Sequence, residues 1–364
     1  MMITGRSSVA ILPFLYFFYD AIKIEAACER PDVPSSNSAS NNKYDWPHST
    51  NKKKEIVVVK FGGSALTNKD KFESLRDATL SIVSEQIKQL LAENHLIILI
   101  HGAGSFGHFT AKSYRLSKGG DESSWKDGVS LTRRSVTKLN GFVLDALLSA
   151  AIPAVSVELF PTTIVSDTKC DKLHQKGAIS SASNLVKLGF LPVLHGDVVL
   201  NDSNRCRIYS GDKIMKWFCN SMHSNSDSDD SDGFKVVAAV FLTDVAGVYS
   251  HPPDNVNAVL IQQIVIDCDD SDENHSMSCY AQYSDHNLVK ENSSSGNSGQ
   301  EIQISTSKMV HDVTGGIAGK LQAAVDIARL GIPVYIVEAG TEHALKAMQG
   351  IRPDKCTVIS KRLH

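Results

Sequence analysis

The stretch IVVVKFGGSALTNK, residues 56–69, sets the reading of the whole chain. Its first half is a continuous β-branched run, which suits a strand buried on both faces, as in a parallel sheet. Lys60 falls near the end of that run, where a buried ammonium needs an anionic partner, and Asp197 is a candidate for the role. Gly62 and Gly63 follow, so backbone amides can approach an anion there. GxxxxGK[ST] is absent, so this is not a Walker A loop, and taken alone the Gly-Gly pair also fits a plain tight turn.

Downstream, Phe72, Leu75, Ile82, Val83, Ile87, Leu90 and Leu91 fall on a stripe of roughly 3.6-residue period, an amphipathic helix. Residues 96–102, LIILIHG, read as the next strand. The alternation continues with a helix near 136–150, strands at 154–159 and 191–200, a helix near 212–222 and a strand at 236–243. A helix near 316–330, a strand at 332–338, a short helix near 343–348 and a last strand around 356–360 complete it. This succession predicts an α/β fold: a three-layer αβα sandwich with a central, mostly parallel sheet covered by helices on both faces.

The chain has 364 residues, 42% hydrophobic and 21% charged, enough apolar content for a sizeable core. Its 37 basic and 40 acidic residues leave a net charge of −3, so no global positive field exists to hold a nucleic-acid backbone. No apolar run approaches the roughly 20 residues of a membrane-spanning helix. Seven cysteines are scattered without a CxxC pair, which points to free thiols in a reducing, cytoplasmic setting and to neither a disulfide framework nor a zinc site. Residues 1–54 are expected to be a mostly disordered extension; its apolar run at 9–19, behind Arg6, has the layout of a weak targeting signal. The folded body is expected to span 55–364, interrupted by polar, aperiodic stretches near 220–233 and 267–305 that read as disordered surface insertions.

In open α/β sheets ligands sit beyond the carboxyl ends of the strands, so the loops there carry the chemistry. HGAGSFGH, residues 101–108, spaces Gly102, Gly104 and Gly107 as G-x-G-x-x-G. A dinucleotide site also needs an acidic residue about 20 positions on, at the end of the next strand; Asp121 and Glu122 lie in a polar loop instead. HGDVV (195–199) and YSGDKI (209–214) supply two Gly-Asp pairs. FLTDVAGVY (241–249) and DVTGGIAGK (312–320) supply a further region, in which Gly315 and Gly316 open an apolar helix with Lys320 one turn in, a setting that favours phosphate.

Together and in this order, these loops resemble the amino acid kinase superfamily, and within it most closely the isopentenyl phosphate kinases, over residues 57–360 outside the polar stretches. The resemblance implies an amino acid kinase-like fold, a homodimer, and ATP-dependent phosphorylation of isopentenyl phosphate to isopentenyl diphosphate, with Mg²⁺ accompanying ATP and dimethylallyl phosphate as a second acceptor. It implies that Lys60, Gly62, Gly63, Ser64 and Gly104 meet the ATP phosphates and that Lys69 stabilises the transferring phosphoryl group. His108 would hold the acceptor phosphate with the backbone of Ala103 and Gly104, Gly211 would belong to the substrate loop, and Asp197 would orient the lysines. Asp244, Tyr249, Gly316 and Lys320 would belong to the nucleotide pocket. Joining two anions calls for positive charge and in-line positioning rather than a strong base, because a phosphate monoester with a second pKa of about 6 is already largely ionised at neutral pH. Two alternatives stand beside this reading: a kinase of the same fold for acetylglutamate, glutamate, UMP or a phosphonate, and a non-catalytic nucleotide sensor, against which the lysines speak.

Overall fold

A computed structural model describes residues 53–165, 172–202, 205–224, 233–268, 277–283, 302–305 and 317–362. The β-branched run forms β1 (Lys54–Phe61), inside the sheet. Its neighbours, β2 (Leu96–His101) and β8 (Phe234–Thr243), are both parallel to it. Beyond β2 come β5 (Leu191–His195) and β3 (Ala154–Ser156), and beyond β8 comes β13 (Val334–Glu338), all parallel again. Past β13 the directions mix: β14 (Thr357–Lys361) runs antiparallel to β13, β10 (Leu260–Cys268) parallel to β14, and β11 (Met277–Tyr283) and β12 (Ile302–Ser305) add antiparallel pairs. The short β9 (Val248–Tyr249) pairs with β10. A second, small sheet has the order β4 (Ile164–Val165), β6 (Asp197–Asn201), β7 (Arg205–Tyr209).

Side-chain alternation along β1 divides the core into two layers. Val57, Val59 and Phe61 pack with Val83 and Ile87 of α2 (Asp77–Ala92), Leu139 and Val143 of α4 (Trp125–Ser149), and Ala344 of α8 (Glu342–Met348). Ile56 and Val58 pack with Ile179 of α5 (Lys172–Lys187), Ile214 of α6 (Gly211–Ser224) and Leu321 of α7 (Ile317–Ala328). Two short helices, α1 (Gly63–Leu66) and α3 (Gly104–Ser113), follow β1 and β2 directly. The result is the expected three-layer sandwich around a mostly parallel sheet. Lys60 has the same parity as Ile56 and Val58, so its side chain enters the layer that α6 and α7 cover.

The chain departs from its sequence reading in several places. The expected strand at 191–200 breaks at Gly196: β5 stays in the main sheet, while β6 leaves for the small one. The residue at the break is held to glycine by close backbone, since a Cβ on Gly196 would lie 3.0 Å from Gly211 N. The helix expected near 136–150 already starts at Trp125. The glycine loop at 101–108 turns helical at Gly104, and α5 was not anticipated. Within the polar stretch expected as an insertion at 267–305, Met277–Tyr283 and Ile302–Ser305 are strands; ladder hydrogen bonds join backbones and need no apolar alternation. The rest of that stretch between residues 269 and 301, residues 225–232, the extension at 1–52 and Gly316 lie outside the described residues. Among the described residues no helix is long and apolar enough to cross a membrane.

Candidate active site

β1 and β2 end side by side, and the loops that leave them touch backbone to backbone. A Cβ on Gly63 would lie 2.6 Å from Gly104 N, and one on Gly102 would lie 2.6 Å from Gly63 N. Gly104 also has φ +47°, the left-handed region where glycine carries no Cβ penalty. Thr67 ties the two loops together, accepting from Ser105 N at 2.9 Å and donating to Gly63 O at 2.7 Å. Ala103 caps α3 at its N-terminus, so the sequence lays a glycine-lined cradle against a helix start. Gly63→Ala should therefore push the loops apart and destabilise the protein by about 1–3 kcal/mol, as overpacking does. Thermal melting of the variant measures this, and an unchanged curve would show that the crossing is loose.

Three lysines converge on this cradle. Lys60 is 5% exposed, and its Nζ lies 2.8 Å from Asp212 Oδ1 in the first turn of α6. Gly211 makes room for that side chain: a Cβ there would sit 3.4 Å from Lys60 Cε and 3.3 Å from the His101 carbonyl oxygen. Lys69, exposed, reaches Asp244 Oδ2 at 2.9 Å, while Ser64 Oγ donates to Asp244 Oδ1 at 2.7 Å. Burial raises the Asp244 pKa, but the Lys69 and Ser64 bonds outweigh it and hold the carboxyl at about 2. Lys320, on α7, is buried and sits within electrostatic reach of Lys60, Asp212, Asp244 and Lys69. Desolvation, reinforced by the Lys60 cation, draws its pKa down to about 8. His108, in α3, is exposed yet within electrostatic reach of Lys60. Partial burial of its ring, then the Lys60 charge, still lower its pKa. Tyr249 in β9 is half-buried, and burial followed by the Glu338 charge raises its pKa.

Asp197 is a correction. It does not partner Lys60; that place belongs to Asp212, in the second Gly-Asp pair. Because the chain leaves the main sheet after Gly196, the Asp197 carboxylate turns instead to the Arg133 guanidinium and to its own neighbour's amide, Val198 N, at 2.7 Å. Asp212 was visible in YSGDKI, yet only the parity of Lys60 and the start of α6 on the same face select it. The remaining expected residues, Gly62, Gly63, Ser64, Lys69, Ala103, Gly104, Gly211, Asp244 and Lys320, lie along the loops and helix starts just described.

Comparison with known proteins agrees with this geometry. Residues 55–227 match the model of the amino acid kinase family, which gives the class. An isopentenyl phosphate kinase of Arabidopsis thaliana is 31% identical over 80% of this chain and 90% of its own length. An isopentenyl phosphate kinase of Thermoplasma acidophilum is 30% identical over 57% of this chain and 76% of its own length. The crystal structure of a T. acidophilum isopentenyl phosphate kinase product complex superposes with a TM-score of 0.56 at 23% identity, covering 84% of this chain and 99% of that one, a likeness of fold. The chain belongs to the isopentenyl phosphate kinases of the amino acid kinase family.

Proposed function

We propose that this protein transfers the γ-phosphoryl group of ATP to isopentenyl phosphate, forming isopentenyl diphosphate and ADP, and that it accepts dimethylallyl phosphate as well. The observation that carries this reading is the convergence of Lys60, Lys69 and Lys320, three cations against the two carboxylates Asp212 and Asp244, beside a glycine cradle. Such a site holds surplus positive charge where two phosphate groups must meet. An oxygen of the acceptor phosphate attacks the γ-phosphorus, the bond to the β,γ-bridging oxygen breaks, and ADP leaves; no carboxylate base is required. Lys60 and the amides of Gly63 and Ser64 steady the donor phosphates, while the Gly62 amide donates to the Leu242 carbonyl at 2.8 Å; Lys69 meets the charge on the transferring group, and Lys320 supports the nucleotide side with Asp244 and Tyr249. Ala103, Gly104 and Gly211 offer amides to the acceptor phosphate, and His108 closes over it.

Mg²⁺ enters this scheme with ATP. The two carboxylates nearest the lysines, Asp212 and Asp244, are each bound to a lysine, so the nucleotide's oxygens with water suit the ion. We place the enzyme in the cytoplasm as a homodimer. Its buried free thiols Cys206, Cys219 and Cys356 fit a reducing compartment, and an isologous pair is the commonest arrangement of soluble enzymes.

The test is ADP release by the full chain with Mg²⁺-ATP and isopentenyl phosphate, beside acetylglutamate, glutamate, UMP and a phosphonate. Turnover on a carboxylate and none on isopentenyl phosphate would overturn the reading. His108→Ala should raise the acceptor KM by about tenfold or more, as the loss of a charge-assisted bond does, and leave the ATP KM unchanged. The free enzyme holds this histidine neutral at pH 7, because its pKa is lowered. A bound dianion raises that pKa again. Acceptor binding should therefore take up a proton, and acceptor affinity should fall as pH rises between the free and bound pKa values. Titration calorimetry in buffers of different ionisation enthalpy measures the uptake in wild type and its loss in His108→Ala.

A further inference from the structure

Outside the lysine cluster, one continuous polar network runs from the buried His101, His195, Asp197 and Asn140 out to the partly exposed Arg133 and Glu158. Arg133, on α4, bonds the Asp197 carboxylate through Nη1, approaches Glu158 Oε2 at 3.4 Å through Nη2, and stacks 4.7 Å from the Phe160 ring. His195 Nε2 lies 3.4 Å from Glu158 Oε2, and its Nδ1 lies 3.9 Å from Asp197 Oδ2. Ser156 Oγ donates to Glu158 Oε1 at 2.7 Å and accepts from Asn140 Nδ2 at 2.8 Å. Asn140 in turn meets His101 Nε2 at 3.1 Å, and the His101 and His195 rings stack at 5.5 Å. Ligand atoms of Glu158, His195 and Asp197 come within 4.8 Å of one another, a spacing that would suit a cation. The guanidinium of Arg133 already lies against both carboxylates and supplies that charge.

The placement of this network is what gives it meaning. His101 directly precedes Gly102 of the cradle, and Asp197 directly follows Gly196. Gly196 N donates to the His101 carbonyl at 2.8 Å, and a Cβ on Gly196 would lie 3.0 Å from Gly211 N and 3.6 Å from Ala103 N. The two chain segments that the network grips are thus the ones that carry or touch the Ala103, Gly104 and Gly211 amides. Lys69, Asp244 and Lys320, on the nucleotide side, have no part in it. The Asp197 side chain is 1% exposed, so its charge is stable only while a cation holds it.

We propose that Arg133 is a positioning residue for the acceptor: by holding Asp197 and Glu158 it fixes the ends of β2 and β5 and the start of β6, and so sets the amides that face the acceptor phosphate. The inference rests on the functional reading above. Arg133 does not touch either substrate; it acts through Asp197 and Gly196. Its planar fork spans two carboxylates at once, which a lysine does not reproduce.

Steady-state kinetics of the full-length Arg133→Gln and Arg133→Lys variants test it, with isopentenyl phosphate varied at saturating ATP and the reverse. Arg133→Gln should raise the acceptor KM about tenfold or more while the ATP KM stays within about twofold, the split expected when only one substrate's contacts are disturbed. Arg133→Lys keeps the charge and should recover part of the loss; should Arg133→Gln fail to fold, the same split in Arg133→Lys decides. Both KM values unchanged beside a lower melting temperature, or both rising together, would reduce Arg133 to a structural residue and overturn the inference alone. A wild-type protein with no turnover on isopentenyl phosphate or on any acceptor of the panel would overturn the functional reading, and this inference with it.

Discussion

Lys60→Met is expected to lower kcat by about 10³-fold, the scale on which one fixed positive group at a transferring phosphoryl acts. Lys60 is 5% exposed and bound to Asp212 at 2.8 Å, so its charge is desolvated and aimed before substrates arrive. An ammonium held this way needs no reorganisation during the reaction, which is why it is worth more than the same charge in water. Lys60→Arg should not rescue activity. The ammonium is buried and seated on Asp212 at 2.8 Å, and a guanidinium, wider and longer than an ammonium, does not take the same place. Single-turnover kinetics with saturating ATP isolate the chemical step; a loss below tenfold would remove Lys60 from the transition state.

Lys320→Met carries the second large effect, with opposite signs on the stability of the free protein and on its stabilisation by ATP. In the ligand-free protein Lys320 is buried, its pKa drawn to about 8 from 10.5, first by desolvation and then by Lys60. At 1.36 kcal/mol per pKa unit, keeping it charged at pH 7 costs the fold about 3 kcal/mol. A methionine of similar length should recover much of that and raise the melting temperature by about 5 °C or more. The sign follows from linkage: a base with a lowered folded pKa leaves the unfolded chain binding more protons between about 8 and 10.5. Wild-type stability therefore rises with pH across that window, and the advantage of the variant should shrink there. Addition of ATP should stabilise wild type strongly and the variant weakly, because phosphates relieve the crowding of Lys320 against Lys60 and Lys69. Calorimetric melts at pH 7 and pH 10, with and without ATP, measure all of this. A variant less stable than wild type at pH 7 would show that Lys320 is well paired without substrate. This opposition is the usual one at a binding site, where charge is assembled for an absent ligand.

What local sequence could show depended on how strongly one residue pattern answered to one environment. The β1, β2 and β8 runs are apolar on both faces because both faces are covered, and continuous β-branched runs have few other uses. Gly62, Gly63, Gly102 and Gly104 stood out because two loops that cross backbone to backbone tolerate no Cβ at Gly63, Gly102 or Gly104. Other elements gave weaker signals. α3 is short and carries two glycines, so its start at Gly104 left no apolar stripe to see. β11 and β12 are held by ladder bonds in a polar stretch, where alternation is not required.

The sequence by itself determined that Lys60 would end a buried strand, that glycines would surround it, and that some carboxylate had to neutralise it, since an unpaired buried ammonium is too costly to keep. The sequence reading placed that role on Asp197, in the first of two Gly-Asp pairs, whereas the partner is Asp212, in the second. Tertiary structure made the choice. The parity of β1 sends Lys60 toward α6, and the break at Gly196 carries Asp197 away into the small sheet, to Arg133 on α4. Ion pairing depends on where side chains converge in space, and residues 152 positions apart, as 60 and 212 are, meet only when the sheet and its covering helices are assembled.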